Sequence, residues 1–185
     1  MTEIARKIRV AGTGTVRLRS SKMTLAVLSS TFLAFGLWIL TASFIFVDSY
    51  ASMIGALTGV TVLIFTLIFF ITPMLNDNIL TPTRLIVRYG ILFRQEIPLG
   101  YIDKIEPVRA GTVGPLSFSR GLRLGVEYSL IDHRYSVLRS KRGMIKVLLN
   151  TELTVEGWFS QRRLNEIVFD TLDSKTVIER TTESS

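Results

Sequence analysis

The chain has 185 residues, 48% of them hydrophobic, with a mean hydropathy of +0.38 and a net charge of +7. Cysteine is absent, which excludes a disulfide framework and a thiolate metal site. So apolar a composition in so short a chain points to a membrane protein rather than an ordinary soluble domain.

Residues 1–22 form a polar, basic leader in which Arg6, Lys7, Arg9, Arg17, Arg19 and Lys22 stand against one acid, Glu3. That excess is most of the net charge, and the chain from Asp77 onward is nearly balanced, with 16 basic and 13 acidic residues. The leader reads as a basic arm, although Thr15 to Arg19 alternates enough to pair as an edge strand if a sheet lies nearby.

No charged residue occurs from Met23 to Val47, and none from Ser49 to Asn76. Spans at about 23–47 and 53–75 exceed the roughly 30 Å hydrocarbon core at about 1.5 Å per residue, so tilt or fraying absorbs the excess. The second holds thirteen Leu, Ile, Val and Phe residues between Ile54 and Leu75. At about −0.3 to −0.6 kcal/mol each they favour insertion by roughly 4 to 8 kcal/mol. A buried soluble hairpin is the rival, but such helices keep a polar stripe. A cleaved signal peptide is another, yet the first run is longer than an ordinary h-region.

The short connection Asp48 to Ser52 has no Lys or Arg, so the basic leader places both termini in the cytoplasm. Ala26, Ser30 and Ala34 recur every four residues in the first span, and Gly55 and Gly59 form a small-xxx-small pair in the second. A turn centred near Tyr50 sets Gly55 and Gly59 at the level of Ile45 and Thr41, and the alanine row beside Phe65 to Phe70. Small then faces large within one hairpin. A homodimer or another membrane protein is the other use for these surfaces.

Pro73 and "NDN" at 76–78 end the second span, and residues 77–175 have a different character. A three-residue loop Arg88-Tyr89-Gly90, with a left-handed Gly90, pairs Val87 with Ile91 and Leu85 with Phe93. Arg84 and Arg94 fall on the wet face, and Ile97 continues the dry row to a break at Pro98. A turn or short helix follows, with Ile102 and Ile105 pointing inward. Strands are expected at Leu122–Leu130, Arg134–Arg139 and Met144–Leu149, joined as a meander by "IDHR" and "SKRG". Ser160 caps an expected helix in which Leu164, Ile167, Val168 and Leu172 make one apolar stripe. Residues 176–185 are a polar tail.

"LTPTRLIVRYGILFRQEIPLGYIDKIE" resembles the signature of the bacterial pleckstrin-homology-like (PH-like) domain family of membrane proteins, mostly of unknown function. The match is carried by Thr81, Arg84, Leu85, Arg88, Gly90, Arg94, Ile97, Pro98, Leu99 and Ile102. Two hydrophobic spans before the domain also fit, so the resemblance covers about residues 23–175; residues 107–121 match only loosely. It implies a strongly bent antiparallel sheet with a C-terminal capping helix, and little chemistry. The fold expected is therefore a two-helix transmembrane hairpin followed by a mainly-β PH-like domain.

No catalytic, metal or cofactor motif stands out. His133, the single histidine, lies in an expected turn, Asp103 and Glu106 flank Lys104, and neither G-x-S-x-G nor a phosphate-cradling loop occurs. Basic residues carry more signal: Arg17, Arg19 and Lys22 adjoin the first span, and Arg139, Lys141, Arg142 and Lys146 surround a hairpin turn. Near an anionic leaflet each cation contributes about 1 kcal/mol. Nucleic acid is not expected, because no aromatic platform accompanies the charge. The expected function is a non-enzymatic, membrane-integral interaction or assembly module working with a protein partner or a second copy. A sensor of anionic lipid headgroups is the alternative, and a membrane-bound hydrolase is the third reading.

Overall fold

In a computed structural model, residues 14–45, 49–108, 124–130, 132–140, 142–156, 161–175 and 177–178 are described. Helix α1 (Met23–Ser43) and helix α2 (Ser49–Thr66), continued by a π-helical turn (Leu67–Ile71) and α3 (Thr72–Leu75), are long and apolar enough to cross a membrane. The widened turn sits just ahead of Pro73, whose missing N–H and bulky ring disturb the regular ladder. Only 17% and 11% of the two apolar windows is buried, the opposite of a soluble core helix. Trp38, Phe44, Ile45 and Leu57 are among the exposed side chains. The outward hydroxyls of Ser30, Thr31, Thr58 and Thr61 each donate to a carbonyl one turn back, at 2.8 to 3.0 Å. Such pairing is what would lower the cost of placing them in hydrocarbon.

The helices lie antiparallel. Gly55 packs on Ser43, Gly59 on Gly36 and Leu40, and Phe32 stacks on Phe70 with ring centres 5.2 Å apart. Gly55 and Gly59 thus pack within the pair, but against Ser43 and the backbone of Gly36 and Leu40 rather than against Ile45 and Thr41. The alanine row needs correction: Ser30 and Ala34 are exposed and Ala26 is half-buried. What faces α2 instead is Ser29, Gly36 and Ser43, seven apart, opposite Gly59, Thr66 and Pro73, also seven apart. A long antiparallel seam follows a period near 3.5, whereas a strict four-residue row drifts off it. A bulky substitution should discriminate between the faces. Gly59→Leu is expected to cost about 2 kcal/mol by overpacking, and Ala34→Leu close to nothing, in denaturant unfolding of the detergent-solubilised chain.

Two sheets follow. The first has the order β1 (Val16–Leu18), β2 (Asn78–Leu80), β3 (Arg84–Tyr89), β4 (Phe93–Pro98), all antiparallel. The alternation at Thr15 to Arg19 is therefore used, with Val16 opposite Leu80. A 3-10 turn (Leu99–Tyr101) leads to β5 (Ile102–Pro107), and the second sheet adds β6 (Gly125–Ser129), β7 (Arg134–Leu138), β8 (Met144–Glu156) and β9 (Gln161–Asp170). Its order is β5-β8-β9-β7-β6, with β9 parallel to β7. Leu85, Val87 and Ile97 of the first sheet share one core with Val137, Ile167 and Phe169 of the second.

Three expectations change. The β3–β4 loop is Gly90 to Leu92, pairing Tyr89 with Phe93 and Leu85 with Ile97. The slip from the expected register is even, so Leu85, Val87 and Ile97 stay dry and Arg84 and Arg94 stay wet, both held by Glu96, whereas Ile91, expected opposite Val87 on the dry face, falls in the turn and is exposed. Residues 161–170 form a central strand rather than a capping helix. The apolar positions 164, 167 and 168 match a helical stripe, but they equally suit a strand buried on both faces, with Ile167 on the main core and Val168 against Leu138 and Met144. Leu172 is exposed, and Ser160 lies outside the described residues. Because β9 enters between β7 and β8, the meander is broken and the sheet is not wholly antiparallel. Val177 plugs the core from a short helical turn beyond β9.

Candidate functional site

The β domain meets the helix ends through four ties. Gly90, at φ +57°, lies so close to Thr72 and Pro73 that an added Cβ would stand 2.8 Å from the Pro73 nitrogen. Lys22, just before α1, pairs with Asp77, just after α3, at 2.9 Å. Arg19 donates its N–H to Asp173 at 3.1 Å, while its carbonyl accepts from the Leu172 N–H at 2.6 Å and the Thr171 hydroxyl at 3.1 Å. Within the β domain itself, Gly143, at φ +62°, lets Thr171 lie directly on the β7–β8 turn, where the Thr171 amide donates to the Gly143 carbonyl at 2.9 Å.

Arg139 is the fourth tie. Its Nε donates to the Pro73 carbonyl at 2.9 Å, its Nη2 to the Arg88 carbonyl, and its backbone N–H to Asp170 Oδ1 at 2.9 Å. Its guanidinium also lies over the Tyr89 ring, 5.7 Å from the centroid. A cation at the end of α3 complements the unpaired carbonyls and the negative end of the helix dipole. Burial lowers the pKa of Arg139, and Asp170, Asp77 and Tyr89 oppose that shift. Arginine stays protonated even so. Burial likewise raises Asp170, against bonds from the Arg139 amide and Ser140. Ser140 Oγ donates to Asp170 Oδ2 at 3.1 Å, and Arg139 Nη1 is buried without an acceptor.

Beside this junction a cleft of about 370 Å³ opens, lined by Ser21, Met23, Thr24, Leu124, Ser140 and Arg142. It lies at the first turn of α1, whose N-cap, Lys22, makes no side-chain cap bond. Arg142 is exposed. The lining therefore combines a cation and three hydroxyls with the apolar side chains of Met23 and Leu124. An acceptor-rich anion with an apolar attachment matches that lining.

The sequence-predicted residues separate in space. Arg17 is exposed on β1, Arg19 is exposed but held through its backbone, and Lys22 is paired. Arg139, expected at a surface turn, is 0% exposed, so the headgroup role assigned to it is corrected. Its strand ends where the second helix ends, and the carbonyls there need its donors more than solvent does. Lys141 lies outside the described residues, which leaves Arg142 of the trio at the cleft. Lys146 belongs to a cross-strand ladder, reaching Glu106 at 3.5 Å and Glu166 at 3.8 Å, with Arg134 on Glu166 at 3.5 Å. His133 is bonded to the Tyr128 hydroxyl at 3.0 Å; that hydroxyl donates to the Arg163 carbonyl at 2.9 Å, so the histidine Nδ1 carries the donating proton. Among the described residues no three His, Asp or Glu side chains gather as a metal site.

Ser21, Thr24, Leu124, Ser140 and Asp170 were missed by sequence reading. They come from the leader, α1 and three later segments, and no local spacing links them. No family model, curated protein or solved structure matches this chain.

Proposed function

We propose that the protein is a non-enzymatic, membrane-integral module that holds anionic phospholipid headgroups of the inner leaflet in the cleft beside α1. In this reading α1 and α2 both cross the bilayer, with the termini and β domain on the cytoplasmic side. The basic leader and the uncharged outer connection support that orientation. The observation that carries the reading is the position of the cleft: it opens at the first turn of a helix about 31 Å long, the level at which phosphates of a bilayer of about 30 Å core would sit. Arg142 and the hydroxyls of Ser21, Thr24 and Ser140 would meet the phosphate, and Met23 and Leu124 the glycerol and upper acyl chain. Since the anchor keeps the cleft among lipids, a weak intrinsic affinity suffices. That the β domain is a divergent PH-like domain is part of the same proposal. Its support is that the family-like residues Arg84 to Leu99 fall on the β3–β4 hairpin and the 3-10 corner after it, with Thr81 just before β3 and Ile102 opening β5.

The interaction-module reading retains one surface. Ser30 and Ala34 are exposed on α1, away from α2, and would accept a helix of a protein partner or a second copy.

Native mass spectrometry of the detergent-solubilised chain tests the cleft. Phosphatidylglycerol should be retained in preference to phosphatidylcholine, and Arg142→Ala should weaken that retention about five-fold, corresponding to about 1 kcal/mol for one interfacial cation. Equal retention of the two lipids, or an unchanged preference in the variant, would remove the proposed site.

A further inference from the structure

Ser140 belongs to two constellations at once. It borders the cleft, yet it is buried and its hydroxyl bonds Asp170 at 3.1 Å. A serine has one hydroxyl proton, and a phosphate oxygen only accepts. The hydroxyl can serve either Asp170 or a phosphate in the cleft, not both.

We propose that Ser140 is the element through which an anionic headgroup in the cleft loosens the tie between the β domain and the end of the second helix. The inference rests on the headgroup reading above and concerns its regulation. Once the Ser140 proton turns to a phosphate, Asp170 keeps the Arg139 amide at 2.9 Å but loses a side-chain donor in a site without solvent. The cation nearest to replace it is the Arg139 guanidinium, which already has one buried donor, Nη1, without an acceptor. Turning towards Asp170 satisfies the carboxylate and takes Nε from the Pro73 carbonyl at the end of α3. Arg139 thus has two arrangements: one bonds the helix end and the Arg88 carbonyl, and the other bonds Asp170. Asp77, Tyr89 and Lys22 also face this junction, and none of them touches the cleft lining in a way that would substitute for Ser140. The coupling is reciprocal, so a loosened junction also favours headgroup binding.

The test uses the full chain in nanodiscs of phosphatidylcholine alone and of phosphatidylcholine with phosphatidylglycerol, whose phosphodiester does not titrate near neutral pH. Amide hydrogen exchange is read at Arg142, beside the cleft, and at Met74 and Leu75, in the turn that Arg139 caps. Phosphatidylglycerol is expected to slow Arg142 and speed Met74 and Leu75 several-fold in the unsubstituted chain. In Ser140→Ala the second effect should vanish. Slowing at Arg142 with Met74 and Leu75 unchanged would overturn the coupling and leave the headgroup reading standing, as would equal acceleration in Ser140→Ala. No slowing at Arg142 would overturn the headgroup reading itself. If Ser140→Ala does not fold, the comparison of the two nanodiscs in the unsubstituted chain decides alone.

Discussion

Arg139→Ala is expected to destabilise the chain by about 3 kcal/mol, the largest effect of any single basic residue. The substitution removes charge-assisted bonds to the Pro73 and Arg88 carbonyls and leaves Asp170 a buried carboxylate with no cation at its side. Arg139→Lys should recover little, because one ammonium cannot reproduce a planar fork that reaches two carbonyls on different elements. Pairing Arg139→Met with Asp170→Asn should regain part of the loss by removing both buried charges. Denaturant unfolding in detergent, followed by tryptophan fluorescence, measures all three. A loss below about 1 kcal/mol for Arg139→Ala, the level of an exposed ion pair, would show that the residue does not brace the junction.

Gly90→Ala should cost about 2 to 5 kcal/mol for two reasons acting together. A left-handed backbone disfavours a Cβ by about 1 to 2 kcal/mol, and overpacking adds about 1 to 3 kcal/mol. That Cβ would meet the Thr72 hydroxyl and backbone atoms of Thr72 and Pro73, which belong to the helix end and have nowhere to move. Gly100→Ala is the internal control, since nothing lies within 4 Å of the corresponding position and its φ is ordinary. It should fall within about 0.5 kcal/mol of the unsubstituted chain, as surface changes do. Equal stability of the two variants would mean that the β3–β4 turn does not rest on the end of the second apolar helix.

The β3–β4 hairpin shows how far local pattern reaches. Alternation placed Leu85, Val87 and Ile97 together and sent Arg84 and Arg94 to solvent, and that division holds. The loop position did not follow, because a shift that preserves parity leaves the paired side chains on their faces, and periodicity cannot tell the two registers apart; only Ile91, drawn into the turn, changes from dry to exposed. Segment 161–170 failed for a related reason. A strand buried on both faces has no alternation to read, and its apolar spacing imitated a helix. On the helices, a four-residue row of small side chains was the conspicuous signal, while the seam uses a seven-residue one.

Of the site, only Arg142 was legible, as a cation beside a turn. Arg139 carried the same local signature and took a different role. Solvent exposure is a property of what packs above a side chain, and nothing within a few residues of Arg139 records that Pro73 and Arg88 meet it there.

By itself the sequence determined the apolar helices, the placement of basic charge beside one end of them, and a β-rich second half with its first dry face. Those depend on periodicity, run length and charge counts, which act over a few residues. Strand order, the insertion of β9, the burial of Arg139 and the cleft were decided by tertiary structure alone. Each arises where segments far apart in the chain must satisfy one another's carbonyls, carboxylates and apolar faces in a shared space.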